Sequence, residues 1–271
     1  MSLLQLDASL DAPQPDRVAR VAAQVRAQAG ADLVILPELW AHGAFAYDRW
    51  AETAEPIDGP TVSALAAAAR DLGATVHAGS IIERAPDGRL YNTAIALSPT
   101  GEVVAHYRKL HRFGFGQGEA TELAAGSELV TIDLAGTRAG IATCYDLRFP
   151  ELFRALLDRG AELFVLSSAW PDKRIRHWRL LTQARAVESQ GYVLACNAAG
   201  GHAGVRLGGD SLVADPWGDI LAEAGAEPET LTVEIDPSQV ARTRKSFPVL
   251  ADRRPPELFE LPSGSQPPAE S

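Results

Sequence analysis

The chain has 271 residues, 46% hydrophobic and 22% charged, with 35 acidic side chains against 25 basic ones and two cysteines. That length suits one large domain, and a net charge of -10 lacks the basic footprint of a nucleic-acid binder. Two cysteines exclude both a disulfide scaffold and a four-cysteine zinc site.

The opening stretch MSLLQLDASLDAPQPDR has no basic region ahead of an apolar core, and no uncharged apolar run reaches the length of about 18 residues that a span needs. The expectation is a cytoplasmic protein with neither signal peptide nor membrane helix. Leu3 to Leu6 reads as a short strand. Asp16 is placed to cap a helix carrying Val18, Val21, Ala22 and Val25 on one face and stopping at Gly30. Leu33-Val34-Ile35-Leu36 is a continuous apolar run, as in strands covered on both faces. An alanine-rich helix follows Gly59-Pro60-Thr61, with Leu65, Ala69 and Leu72 inward and Gly73 as its stop. Thr75 to Ile82, Leu90 to Leu97 and Val103 to Tyr107 predict an antiparallel meander, because Pro86-Asp87-Gly88 and Pro99-Thr100-Gly101 are turn signals. From Val130, two strands lead to Cys144, a helix runs from about Pro150 to Arg159 and closes at Gly160, and a strand covers Leu163 to Leu166. A long helix, Lys173 to Gln190, precedes a strand from Tyr192 to Cys196. Two more strands flank the hairpin Asp215-Pro216-Trp217-Gly218. This alternation argues for an α/β fold. After Arg254, five of the last 17 residues are proline, so residues 1–254 read as one domain and 255–271 as an extended tail.

Three positions stand where an apolar strand runs out, at the rim where such sheets place their ligands. Glu38 ends LVILPEL, a carboxylate directly behind apolar residues and a proline. Lys109 follows the meander's last strand, in HYRKLH. Cys144 lies between the run Ala139 to Thr143 and the polar stretch Tyr145 to Glu151. A strand–turn–helix junction of that kind presents a side chain at a sharp elbow and backbone N–H groups to an oxyanion. Each residue also has a commonplace reading: a surface acid, a solvated lysine, a packed thiol. Cys196, within the apolar run YVLACN, is expected to be only packed. A Cys–His peptidase would need His111 or His177 as base, and neither lies in a peptidase-like string. The six histidines show no metal-type spacing, and no metal or cofactor is expected.

Together and in this order, Glu38, Lys109 and Cys144 resemble the Glu–Lys–Cys triad of the nitrilase superfamily of carbon–nitrogen hydrolases. The strings LVILPEL, YRKLH and ATCYDLRFPEL are similar to the family's, as are AEPIDGP, HWRLLTQARAVESQGYVLACN and GGDSLVADPWGDIL. The likeness runs from the first strand to about Asp236. It implies a four-layer αββα sandwich, two sheets back to back with helices outside. It also implies a homodimer paired through the helices after the cysteine, here Pro150–Arg159 and Lys173–Gln190.

The chemistry implied is a cysteine-dependent amidase acting on a small amide. Cys144 would attack and form a thioester, Glu38 would serve as base and then acid, and Lys109 with the Tyr145 backbone N–H would hold the oxyanion. Family members carry a second glutamate seven residues before a glycine; counting back from Gly126 selects Glu119, with Glu122 as the other candidate. The cysteine string most resembles the ω-amidase branch, which acts on amides of α-keto acids such as 2-oxoglutaramate. There an arginine four residues after the cysteine, here Arg148, holds the distal carboxylate. Its alternative role is a brace to Glu151 or Asp146. Trp170 is implied as a pocket wall, and Phe45 and Tyr47 as its cover, although AHGAFAYDRW departs from the family pattern. The alternatives are a deaminated-glutathione amidase, an N-carbamoyl amino acid hydrolase and, in another class, a catalytically silent binding or assembly protein of the same fold.

Overall fold

The computed structural model describes residues 1–254 apart from Ala135, together with Leu258; the rest of the expected tail lies outside the described residues. The chain opens with β1 (Ser2–Gln5), α1 (Gln14–Arg26), β2 (Leu33–Ile35), the single-turn α2 (Trp50–Thr53) and α3 (Pro60–Leu72). The meander follows as β3 (Thr75–Arg84), β4 (Leu90–Leu97) and β5 (Val103–Arg108), and then the single-turn α4 (Glu119–Glu122). The second half runs β6 (Thr131–Leu134), β7 (Thr137–Thr143), α5 (Pro150–Asp158), β8 (Leu163–Ser168), α6 (Ile175–Ser189) and β9 (Tyr192–Asn197). A small hairpin, β10 (Gly201–His202) and β11 (Val205–Arg206), precedes β12 (Leu212–Ala214), β13 (Ile220–Glu223), β14 (Glu229–Thr232) and α7 (Ser238–Ser246).

The strands form two mixed six-stranded sheets, ordered β14-β1-β2-β3-β4-β5 and β13-β12-β9-β8-β7-β6. Three apolar clusters show how they stack. Val21, Val25 and Leu65 of α1 and α3 pack on Val34 and Val76 of the first sheet. Ile35, Ala94, Ile141, Val165 and Leu194 meet between the sheets. Phe153 and Leu156 of α5 and Trp178 of α6 cover Phe164 and Val193 of the second sheet. The result is the αββα sandwich. Neighbours along β2 therefore face different cores, Val34 towards helices and Ile35 towards the other sheet, so its sequence has no alternation to show.

Several boundaries differ from the sequence reading. α1 begins at Gln14 and ends at Arg26, ahead of both Asp16 and Gly30, with Pro13 at its cap and a second proline inside its first turn. A first-turn proline gives up an N–H that has no helical partner anyway. α3 ends where expected, with Gly73 left-handed at φ 71°. α7 escaped the pattern because Val240 is its only buried apolar residue. No described helix is long and apolar enough to cross a membrane.

Strand direction positions the site. β2 and β3 run parallel, and β5, two antiparallel steps beyond β3, points the same way. β7, β8 and β9 are likewise parallel to one another. The ends of β2, β5, β7 and β8 meet at one rim of the sandwich, where the backbone N–H of Ala169 donates to Glu38 across 131 residues of chain. Ligands bind outside the carboxyl ends of such strands.

Candidate active site

Glu38 and Lys109 are both buried, at 3% and 2% exposure, and joined by a 2.8 Å bond from Lys109 Nζ to Glu38 Oε1. Glu119, the first residue of α4, accepts from the same ammonium at 2.8 Å through Oε2. Gly118, at φ 66°, turns the chain there. A charge cluster this dry is tolerable only if its lone pairs are met. They are: Ala169 N–H donates to Glu38 Oε2 at 2.9 Å, Phe113 N–H to Glu119 Oε2 at 2.6 Å, and Asn92 Nδ2 to both carboxylates, at 2.8 and 2.6 Å. Burial works against the Lys109 ammonium, but Glu119 and Glu38 outweigh it and hold its pKa well above the usual lysine range. Burial keeps the Glu119 carboxyl above its ordinary range against the pull of Lys109. Glu122, the other candidate, is exposed.

Cys144 stands at the end of β7 with φ 47°, a left-handed conformation that costs a non-glycine residue about 1–2 kcal/mol. The fold holds it there through Asp146, a fully buried carboxylate. Asp146 accepts from the Thr143 N–H at 2.9 Å, the Tyr107 hydroxyl at 2.8 Å and the His111 N–H at 3.1 Å. Tyr107 and His111 bracket Lys109 in sequence, so one side chain ties the end of β5 to the cysteine elbow. Burial first, then Glu38, pushes the Cys144 thiol far above its ordinary pKa, and it rests protonated. The Tyr145 N–H has no acceptor among the described residues.

Cys144, Glu38, Lys109 and Glu119 open into a cavity of about 410 Å³, its mouth included, also lined by Phe45, Tyr47, Tyr145, Arg148, Trp170 and Arg174. Every residue that the family resemblance implied for the site, except the alternative Glu122, thus faces one space, whereas His111 and His177 do not line it. Cys196 lies between the sheets, its Sγ 3.4 Å from the carbonyls of Leu4 and Ile35. Trp170 is fixed by its indole N–H, 2.9 Å from the Arg174 carbonyl. The Phe45 N–H donates to His202 Nε2 at 3.0 Å, and the Tyr47 ring packs edge-on against Trp50 at 4.9 Å. Arg148 does not brace the elbow. Its guanidinium lies 4.6 Å from the Trp170 ring centre and 3.5 Å from His177 Nδ1, and it meets no carboxylate among the described residues. No described cluster of three or more His, Cys, Asp or Glu side chains is arranged to hold a metal.

Asn92, Asp146 and Arg174 belong to this site without having been picked out as functional. Asn92 left one signal, an amide inside the mostly apolar strand LYNTAIAL. Asp146 lay in the cysteine string, weighed only as a partner for Arg148. Arg174 left none, being one of several charges in DKRIRHWR.

The chain is similar to known proteins along most of its length. The profile of the Carbon-nitrogen hydrolase family matches residues 4–245. The 2-oxoglutaramate amidase of Paenarthrobacter nicotinovorans is 43% identical, over 88% of this chain and 84% of its own. That of Bacillus subtilis (strain 168) is 38% identical, over 83% and 85%. Among solved structures, Saccharomyces cerevisiae Nit3, a member of branch 10 of the nitrilase superfamily, superposes with a TM-score of 0.83 at 31% identity, covering 92% of this chain and 93% of that one. The chain belongs to the carbon–nitrogen hydrolase family. It is an enzyme of the amidase kind, hydrolysing a carbon–nitrogen bond.

Proposed function

We propose that the enzyme hydrolyses the ω-amide of an α-keto acid, with 2-oxoglutaramate as its substrate, through a thioester on Cys144. The observation that carries this is the convergence of Glu38, Lys109, Glu119 and Cys144 on one small cavity, beside an Arg148 that meets no acid among the described residues. The relatives named 2-oxoglutaramate amidase support the choice of substrate.

A resting thiol with so high a pKa must lose its proton as it attacks, so a base has to stand beside it. Glu38 takes that proton while Cys144 Sγ bonds to the amide carbon. The oxyanion lies between the Lys109 ammonium and the Tyr145 N–H, a type of stabilisation worth roughly 3–4 kcal/mol per donor. The carbon–nitrogen bond breaks, Glu38 passes its proton to the leaving nitrogen, and ammonia departs. Water then gives a proton to Glu38 and its oxygen to the thioester, releasing the acid and restoring the thiol. Glu119 keeps the Lys109 ammonium aimed at the oxyanion. Arg148 meets the distal carboxylate, and Trp170, Phe45 and Tyr47 enclose the chain between.

Ammonia release measured over 2-oxoglutaramate, deaminated glutathione, N-carbamoyl amino acids and a neutral amide tests the assignment. Fastest release from 2-oxoglutaramate is expected, and Cys144→Ala should abolish it in a folded protein. Turnover that survives the substitution would overturn the mechanism; preference for another amide would overturn the substrate; ammonia from none would favour a silent binding protein.

The two free thiols suit a reducing compartment, and we place the enzyme in the cytoplasm as a homodimer. The apolar side chains of α5 are largely buried within the chain, whereas Leu180 and Val187 of α6 lie exposed, Val187 in a groove it shares with Trp217 and Phe247. That face is where a second copy would pack, and a monomeric mass by light scattering at micromolar concentration would refute it.

A further inference from the structure

Two guanidinium groups face the cavity, and only Arg148 has a place in the reaction proposed for it. Arg174 ends the 3-10 turn of Asp172–Arg174 that leads into α6. It is half-buried and lines the cavity with Arg148, Cys144 and Lys109. Its placement is fixed from both ends. The backbone is pinned by the Trp170 indole, which donates to the Arg174 carbonyl. The guanidinium carbon lies 5.4 Å from the centre of the Phe113 ring, much as that of Arg148 lies against Trp170. Stacking on a ring occupies the flat face of a guanidinium and leaves its N–H edge available.

Nothing occupies that edge. Among the described residues no carboxylate and no other acceptor meets the Arg174 guanidinium, and Arg148 has only His177 Nδ1, at 3.5 Å. Two unpaired like charges on one cavity are unfavourable together: burial and then Arg174 pull Arg148 below the usual guanidinium range. An anion between them would relieve both. The charges around the cavity point the same way. Three basic side chains, Lys109, Arg148 and Arg174, line the cavity against two acidic ones, Glu38 and Glu119, a balance that suits a substrate with one negative charge and a neutral amide. One carboxylate offers about four lone-pair sites, more than a single guanidinium fork fills.

We propose that Arg174 is a second anion receptor of this site, closing with Arg148 on the far end of the substrate and confining the enzyme to amides that carry a carboxylate there. This rests on the amidase reading above. Arg148 would take one edge of the carboxylate, and Arg174 its other oxygen together with an oxo group beside it. The enzyme should then discriminate by charge more steeply than one arginine allows.

The test compares kcat/KM for 2-oxoglutaramate, for glutaramate, which lacks the oxo group, and for pentanamide, which lacks the carboxylate as well. In Arg174→Met the ratio of either anionic substrate to pentanamide should fall about ten- to hundred-fold, the worth of a charge-assisted hydrogen bond, and mostly through KM. Arg174→Lys should recover part of the loss. An unchanged ratio, or equal losses on all three amides, would overturn the proposal. If the wild-type protein prefers glutaramate, the substrate named above fails while the ratio still decides Arg174. If it hydrolyses none of the three, binding decides instead. Glutarate titrated into Cys144→Ala protein should show Kd about ten-fold weaker once Arg174→Met is added, and equal affinities would overturn the proposal whatever the enzyme hydrolyses.

Discussion

Asn92 shows how a neutral side chain governs a charged site. Its amide nitrogen donates to Glu38 at 2.8 Å and to Glu119 at 2.6 Å, holding apart two carboxylates that share the Lys109 ammonium. Hydrogen bonds to charged groups contribute about 1.5–3 kcal/mol each. Asn92→Ala removes two at once and leaves both acids free to turn, so kcat should fall on the order of ten- to a hundred-fold with the fold intact by circular dichroism. A kcat within about two-fold of wild type would show that the bridge does not position the acids. Glu38, Lys109 and Cys144 stood out as chemistry-bearing residues where apolar runs stop, but each alone had a commonplace reading and only the three in order pointed to a site. The bridge was not, because its partners lie 54 and 27 residues away and nothing local to LYNTAIAL records them.

At the scale of elements, the approach of β2 to β3 sets where Glu38 can stand. The antiparallel register between β3 and β4 shifts between His77 and Ser80, and Gly79 sits in that irregularity with φ +68°. A Cβ there would lie 1.9 Å from the Pro37 carbonyl oxygen, the residue just before Glu38. Gly79→Ala combines a left-handed conformation with a backbone clash, so a loss of about 2–4 kcal/mol is expected from the urea midpoint. Because relief comes most directly by moving Pro37, kcat should drop with it. An unchanged midpoint would mean that the strands part without cost. The glycine stops of α3 and α5 could be read from the sequence, since a helix end is a local event. The role of Gly79 could not, because its neighbour Pro37 lies far back in the chain, just beyond the end of β2.

For the molecule as a whole, the two-sided burial that builds the sandwich also traps histidines. His77 lies on β3 at 1% exposure with no partner for either ring nitrogen among the described residues, and burial pushes its pKa down to about 4; His42 is pushed down to about 3. Both stay neutral in the folded chain while the unfolded chain protonates them near pH 6.5. The unfolded state therefore binds protons first. Their contribution is complete above pH 6.5 and is lost as pH falls towards about 4 for His77 and about 3 for His42, several kcal/mol between them. The melting temperature should decline across that window, and His77→Leu should make the decline shallower. An equal slope in the variant would assign the acid sensitivity elsewhere.

The sequence by itself determined the order of the main core strands and helices from β1 to β13, the absence of alternation in the core strands, and the residue types left at the strand ends. The short α2 and α4, the β10–β11 hairpin, β14 and α7 left no signal that was read. What it did determine follows from rules reaching only a few residues along the chain: periodicity, proline and glycine at helix ends, turn signals. Only the tertiary structure decided that Glu38, Lys109, Glu119 and Cys144 share one cavity, that Asn92 and Asp146 hold them there, and that two arginines face it without an acid partner among the described residues. The reason is geometric: parallel strands from two sheets bring their ends to one rim, and which donors meet which acceptors across that rim depends on residues as far apart as Glu38 and Ala169.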